Sequence, residues 1–151
     1  MLSRGEELLR MFIKRCFPNY KQEYNVRSLG IINPVTKAQL ELDIYIPELK
    51  IGFEFNGRQH RTDREQAKRD LEKTKQCKQK GIKLIKVWTL TLTNDFYSFL
   101  NSKIDEDVMT KPTKKFLNYF QKEADEYKKN IYKMNSKIKS NTFVKVRKCK
   151  K

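Results

Sequence analysis

Alternating apolar and polar residues fill two neighbouring stretches of the chain, 40–46 and 51–55, and predict a β-hairpin. The four residues between them are the length of a hairpin loop. Pairing across that loop places Asp43 opposite Glu54. It also pairs Ile44 with Phe53, Tyr45 with Gly52, and Ile46 with Ile51. The expected buried face consists of Leu42, Ile44, Ile46, Phe53 and Phe55.

The opposite face of this hairpin is expected to carry Glu41, Asp43, Glu54 and Asn56. Like charges directly opposite one another destabilise a sheet, so the Asp43–Glu54 pair needs an explanation. A bound cation would neutralise both groups, and carboxylate oxygens suit Mg²⁺. A solvated hairpin face is the alternative, and the residues that follow favour the cation.

Those residues are the chain's single histidine, His60, and then a helical pattern over 63–80. The expected inward stripe of this helix is Ala67, Leu71, Thr74 and Lys78. Gly81 is the expected C-cap, and the nearly continuous apolar run 82–88 predicts an inner strand. Hairpin, helix and strand in this order are typical of a small α/β nuclease.

Two charged residues of that helix have predictable orientations. At about 100° per residue, Asp70 lies about 60° from the centre of the apolar stripe, at the border of core and cleft. Lys73 lies about 120° away, which predicts that it faces solvent or a phosphate.

The first helix is predicted over 6–17, with an apolar face of Leu8, Leu9, Phe12, Ile13 and Cys16. Glu6 lies at the edge of this face, about 75° from its centre. Ser3 and Glu6 also have the spacing of a capping box. A capping role and a role in the site are both open for Glu6, and they are compatible.

The segments 43–49, 53–60, 69–73 and 81–88 resemble the PD-(D/E)xK nuclease superfamily. The closest likeness is to the branch of very-short-patch repair endonucleases and phage homing endonucleases, described by an E-D-x-H-D pattern. It covers roughly residues 3–90. The residues that carry it are Ser3-Arg-Gly-Glu6, Asp43, Glu54-x-Asn56-Gly57, His60 and Asp70.

The resemblance implies an α/β restriction-endonuclease-like fold, with a central mixed sheet of about four strands flanked by helices. It also implies hydrolysis of phosphodiesters with Mg²⁺, for which Mn²⁺ is expected to substitute. Asp43 would hold the metal directly, and Glu54 would share it or orient its water. The backbone carbonyl of Phe55 would be a further ligand.

The remaining roles also follow from the resemblance. His60 would activate water or protonate the leaving oxygen, as a neutral-pH imidazole can. Asp70 would orient His60, Glu6 would act through water, and Gln59 and Asn56 would position water or phosphate. The common motif has a lysine where this chain has Asn56, which fits the branch in which a histidine takes over that work.

The charge of the chain indicates a polyanionic partner. Its 34 Lys and Arg outnumber 18 Asp and Glu, giving a net charge of +16 and a pI near 9.8. Residues 111–151 hold 14 basic and 3 acidic residues, hence +11, and residues 1–110 hold the other +5. We expect the partner to be DNA. The candidate phosphate-contacting residues are Arg58, Lys73, Lys114, Lys115, Lys122, Lys145, Arg147 and Lys148.

The C-terminal third is predicted to begin with an amphipathic helix over 114–134. Its apolar stripe is Phe116, Phe120, Ala124, Tyr127, Ile131 and Met134. Packing on the core or a second subunit is favoured over base stacking. Residues 135–151 are expected to form a basic tail, with a short edge strand at 142–146. The chain therefore divides into a nuclease core, 1–104, and a basic extension, 105–151.

The remaining segments and the cysteines predict further elements, the cellular setting and the classes of partner. A strand is predicted over 23–27, and a helix opened by Thr93 as its N-cap runs through Ile104. Three cysteines without metal-type spacing indicate reduced thiols in a cytoplasmic setting, in a bacterium or a phage-infected host. We expect no signal peptide, membrane partner or small-molecule cofactor beyond the metal, and a monomer or homodimer.

The sequence thus predicts a Mg²⁺-dependent DNA endonuclease of homing or mismatch-nicking type. Two alternatives stay open. One is a catalytically inactive nucleic-acid-binding protein on the same fold, which the missing motif lysine favours. The other is a structure-specific nuclease, such as a junction resolvase, which would require a dimer.

Overall fold

A computed structural model of the chain describes residues 2–57 and 64–150, with the backbone alone at residues 65, 66, 106 and 134–150. Two short 3₁₀ turns, Thr89–Thr91 and Glu106–Val108, accompany the regular elements. These are α1 (Arg4–Cys16), β1 (Glu23–Val26), β2 (Leu42–Ile46), β3 (Ile51–Asn56), α2 (Arg64–Gln79), β4 (Lys83–Trp88), α3 (Phe96–Asn101) and α4 (Lys114–Lys150).

The four strands form one mixed sheet in the order β1-β2-β3-β4. The first three strands are antiparallel, and β4 runs parallel to β3. The hairpin register is the predicted one: Ile44 pairs with Phe53, Tyr45 with Gly52, and Ile46 with Ile51. The α/β class with a mixed four-stranded sheet is confirmed.

Helices α1, α3 and α4 cover one face of this sheet and form the larger core. All five predicted apolar residues of α1 are fully buried. The ring of Phe12 lies between those of Phe96, Phe116 and Phe120, with centroids 4.8, 5.8 and 4.7 Å away. The stripe of α4 therefore packs on the core, as predicted, through Phe116, Phe120 and Ala124.

Helix α2 covers the other face over a smaller apolar cluster. Leu42 was expected beside Ile44, but it lies in this second cluster with Cys77 and Ile82. Close approach to Gly52 makes room for it, because a Cβ at Gly52 would lie 2.9 Å from Leu42 Cδ1. Cys16 and Cys77 are both buried free thiols.

The orientation predicted for α2 is wrong. Leu71 is 71% exposed, and Ala67, Thr74 and Lys78 are also exposed. Asp70, Lys73 and Cys77, spaced at intervals of three and four, are the residues turned toward the sheet instead. The charges carried by the sheet decide this orientation, because Lys73 forms an ion pair with Glu54.

Two smaller predictions are also wrong. Strand β4 lies at an edge of the sheet, and only Ile85 and Val87 of its residues are buried. Helix α3 begins at Phe96 with Asp95 as N-cap and ends at Asn101. Thr93 caps the preceding turn instead, where its Oγ1 accepts from the Asp95 N–H at 3.1 Å.

Helix α4 continues to Lys150, so the edge strand expected at 142–146 is wrong as well. Residues 135–151 contain neither Gly nor Pro, and nothing in their sequence stops a helix. The division of the chain at residue 104 stays a prediction. Among the described residues, no helix is long and apolar enough to cross a membrane.

Candidate active site

The end of the β2–β3 hairpin brings Asp43 and Glu54 together, one residue beyond the last registered pair. The Phe55 N–H donates to Asp43 Oδ2 at 2.8 Å, so this carboxylate takes the place of a backbone acceptor. The N–H and C=O of one strand residue point toward the same neighbouring strand. The Phe55 carbonyl therefore points toward β2, the side on which Asp43 lies.

Both carboxyl groups are held in an environment that disfavours their charge. Burial raises the pKa of Asp43, although the Phe55 N–H and Lys73 oppose this. Burial, and then the charge of Asp43, raise the pKa of Glu54 to about 7. The mutual repulsion expected for this pair is thus present, and Glu54 titrates near neutral pH.

Lys73 of α2 provides the compensating charge. Its Nζ lies 2.7 Å from Glu54 Oε1 and also donates to the Glu41 carbonyl oxygen at 2.7 Å. The side chains of Lys73 and Glu54 are only 12% and 14% exposed. The expectation that Lys73 faces solvent is therefore wrong, because its ammonium is directed into the acidic pair, while contact of Lys73 with a phosphate stays a prediction.

In the residues that the structure describes, the Asp43–Glu54 pair has one free oxygen that could bind a divalent cation. Glu54 Oε2 is buried and has no hydrogen-bond partner among the described residues, so one oxygen of the pair is left for a ligand. No group of three or more His, Cys, Asp or Glu side chains is arranged to hold a metal in the described part of the chain. The candidate ligands are two carboxylates and one carbonyl, and Mg²⁺ commonly takes one or two protein carboxylates with water and phosphate.

Glu6 approaches the same pair from the first turn of α1. Ser3 is the N-cap, with its Oγ accepting from the Glu6 N–H at 3.2 Å. Burial and the charge of Asp43 raise the pKa of Glu6, so the two carboxylates interact. Gly5 permits this approach, because a Cβ there would clash with the ring of Phe55.

A cleft of about 500 Å³ opens beside Asp43. Its polar lining consists of Glu6, Arg10, Asn25, Arg27, Glu41 and Asp43. Arg27 is bound to Glu41 through Nε at 2.9 Å and Nη2 at 2.8 Å. The guanidinium of Arg10 stacks 4.1 Å from the centroid of the Tyr24 ring.

Other predicted site residues lie around the carboxylate pair or outside the described part. Asp70 is half-buried, and its charge contributes to the raised pKa of Glu54. Asn56 ends β3 opposite Trp88. Arg58, Gln59 and His60 fall between residues 57 and 64, outside the described residues, so their roles stay predictions.

The basic residues predicted to contact DNA divide in the same way. Lys114, Lys115 and Lys122 are exposed on the first turns of α4. The side chains of Lys145, Arg147 and Lys148 lie outside the described part.

Four residues of the site were missed by the sequence interpretation: Lys73 as a member of the acidic pair, and Arg10, Asn25 and Arg27 in the cleft. The spacing of Asp70, Lys73 and Cys77 was the available signal for Lys73, but it was hidden by the apolar stripe chosen for α2. For Asn25, whose φ of 52° places it in the left-handed region, the sequence carried no comparable signal.

Comparison with known proteins finds relatives without an assigned activity. The chain is 42% identical over 79 residues to uncharacterized protein 094L of frog virus 3 (isolate Goorha), covering 44% of this chain and 51% of that protein. It is 30% identical over 115 residues to uncharacterized protein 033L of invertebrate iridescent virus 3, covering 68% and 57%. The chain thus spans slightly more than half the length of these curated relatives. No family model and no solved structure matches it.

Proposed function

We propose that this chain is a Mg²⁺-dependent DNA endonuclease that hydrolyses phosphodiester bonds. The observation that carries the proposal is the half-buried Asp43–Glu54 pair with Lys73 at 2.7 Å from Glu54. Taking two carboxylates and a lysine largely out of water costs free energy, and groups with pKa values shifted in this way concentrate at functional sites.

Asp43, Glu54 and the Phe55 carbonyl would hold the metal. When bound, Mg²⁺ would stabilise charge on the reacting phosphate and lower the pKa of a water molecule. Glu54 has to be ionised to act as a ligand, and Lys73 favours its ionised form. Glu54 is therefore poised between a protonated form and a metal-binding form close to physiological pH.

Lys73 also compensates for the absent motif lysine, which is the main argument for an inactive protein. The common motif of the resembling superfamily has a lysine where this chain has Asn56. Here an ammonium reaches the same pair of carboxylates from α2 rather than from β3. We propose that Lys73 supplies the positive charge near the scissile phosphate, while His60 acts as the acid or base.

Two further features support a DNA substrate. The order of the elements, with the β2–β3 hairpin before α2 and then β4, is the order that we expected for a small α/β nuclease. The net charge of +16 and the exposed lysines of α4 suit a phosphate backbone. A homing-type endonuclease or mismatch nickase is the specific form that we propose.

The direct test is incubation of the full chain with supercoiled plasmid and, separately, with RNA, each with Mg²⁺ or with EDTA. We expect nicked or linear plasmid only with Mg²⁺. DNA binding without cleavage under any metal would instead favour the inactive binding protein. Cleavage confined to branched DNA, by a dimer, would favour a junction nuclease.

A further inference from the structure

The cleft beside Asp43 contains a cationic group that the proposed chemistry does not use. Arg10 projects from α1 one turn after Glu6, and its charge lowers the pKa of both Glu6 and Asp43. No ion pair joins Arg10 to either carboxylate within the described part of the chain. Its Nε is buried and has no hydrogen-bond partner among the described residues.

The position of the Arg10 guanidinium is fixed from two sides. The ring of Tyr24 stacks on it at 4.1 Å. The side-chain amide of Asn25 is oriented so that its oxygen accepts from Arg10 Nη2 at 3.3 Å and its nitrogen donates to Glu41 Oε1 at 2.8 Å. A buried donor without a protein partner requires an explanation, and a bound ligand provides one.

Asn25 adds independent support from the backbone. It lies in β1 between the registered pairs Tyr24–Ile44 and Val26–Leu42, hence beside Asp43. Its φ of 52° is rare for a strand residue and interrupts the regular strand geometry at this point. Such strained positions cluster at ligand sites, where surrounding contacts maintain them.

Beside the carboxylates of Glu6, Glu41 and Asp43, the guanidinium of Arg10 is the group of this cleft that suits an anion with several oxygens. A guanidinium offers a planar set of five N–H donors, which matches phosphate geometry, and the cleft opens directly beside the candidate metal ligand Asp43. We propose that Arg10 binds a backbone phosphate of the DNA strand in this cleft, adjacent to the reacting phosphodiester. This inference rests on the proposed function for the identity of its ligand. Arg10 would be a positioning residue that fixes the path of the strand.

The test compares variants of two arginines on the same helix. Arg10→Met removes the guanidinium but leaves an unbranched side chain against Tyr24. Arg15→Met is the matched control, because Arg15 likewise stacks on an aromatic ring, Phe116, at 4.8 Å, but lies outside the cleft lining. Affinity for a short DNA duplex is measured in EDTA at several salt concentrations, so that neither metal binding nor cleavage enters the result.

We expect Arg10→Met to weaken DNA binding by about 10- to 100-fold, the range for a hydrogen bond to a charged group. The slope of log affinity against log salt should flatten by about one unit, the value for one phosphate contact. Arg15→Met should change neither quantity to that extent. Arg10→Lys, which is expected to fold in any case, should restore the salt slope but only part of the affinity.

Equal affinity and salt slope for Arg10→Met and the wild type would overturn the inference, whether or not the wild type cleaves DNA. A slope in Arg10→Lys as flat as in Arg10→Met would also contradict it. Absence of cleavage by the wild type would instead remove the proposed function and leave the binding result to decide the role of Arg10.

Discussion

Removing the charge of Lys73 tests whether Lys73 controls the ionisation of Glu54, as the ion pair between them indicates. Lys73→Met keeps an unbranched side chain that ends at Cε and deletes the ammonium 2.7 Å from Glu54 Oε1. Because Lys73 lowers the pKa of Glu54, which is about 7 with Lys73 present, that pKa should rise further in the variant. The carboxyl group should then stay protonated across the neutral range.

The shift in the pKa of Glu54 determines how the stability that Lys73→Met loses depends on pH. In the wild type the folded-state pKa of Glu54 lies above its ordinary value of 4.5, so the free energy of unfolding falls as pH rises toward 7 and then levels off. In Lys73→Met the fall continues above pH 7. At 1.36 kcal/mol per pH unit, the variant should lose about 1.4 kcal/mol more than the wild type between pH 6 and pH 8.

The assay is urea unfolding at pH 6 and pH 8 in EDTA, with Lys75→Met as the control. Lys75 lies on the same helix but is exposed, so its replacement should have a small effect that does not depend on pH. A cost for Lys73→Met that is the same at both pH values would refute the coupling of Lys73 to Glu54. With Mg²⁺, the same variant should cleave DNA about 10²- to 10³-fold more slowly, as for loss of one electrostatic stabiliser.

Three further predictions concern the remaining parts of the site. Asp43→Asn removes a charge that raises the pKa of Glu54. In urea unfolding at pH 8, the metal-free variant should therefore be slightly more stable than the wild type, and its affinity for DNA should be unchanged. A clear loss of stability would contradict repulsion between Asp43 and Glu54. His60→Ala should slow single-turnover cleavage by about 10²- to 10⁴-fold, and Asp70→Asn by less; rates within a few-fold of wild type would make His60 structural. Deleting residues 135–151 leaves the buried residues Phe116, Phe120 and Ala124 in place, so it should preserve the fold and turnover at saturating DNA. It should flatten the salt slope of binding by several units, and an unchanged slope would argue against a DNA-binding tail.

Hydrophobic patterning predicted the elements that bury apolar residues on one side. The β2–β3 register and the buried face of α1 follow from periods of 2 and 3.6, and both are as predicted. The stripe of α4 is also correct where its side chains are described. In each case the burial of apolar surface determines how the element packs. The spacing of apolar residues in the sequence therefore predicts which side is buried.

The same patterning failed where charge determines the packing. Helix α2 turns Lys73 toward Glu54 and leaves Leu71 exposed, and its residue buried in the apolar cluster is Cys77. Which side chain lies opposite a buried carboxylate is a property of the tertiary structure. The sequence therefore predicted that Asp43 and Glu54 lie opposite each other, but it did not predict that Lys73 pairs with Glu54.

The measurement that tests the central claim most directly is plasmid nicking by wild type, Asp43→Asn and Lys75→Met, purified side by side. With Mg²⁺, the wild type and the Lys75→Met control should nick at similar rates, and Asp43→Asn should be inactive while still binding DNA. EDTA should abolish all cleavage. Nicking by Asp43→Asn at the wild-type rate would contradict a metal site at the Asp43–Glu54 pair.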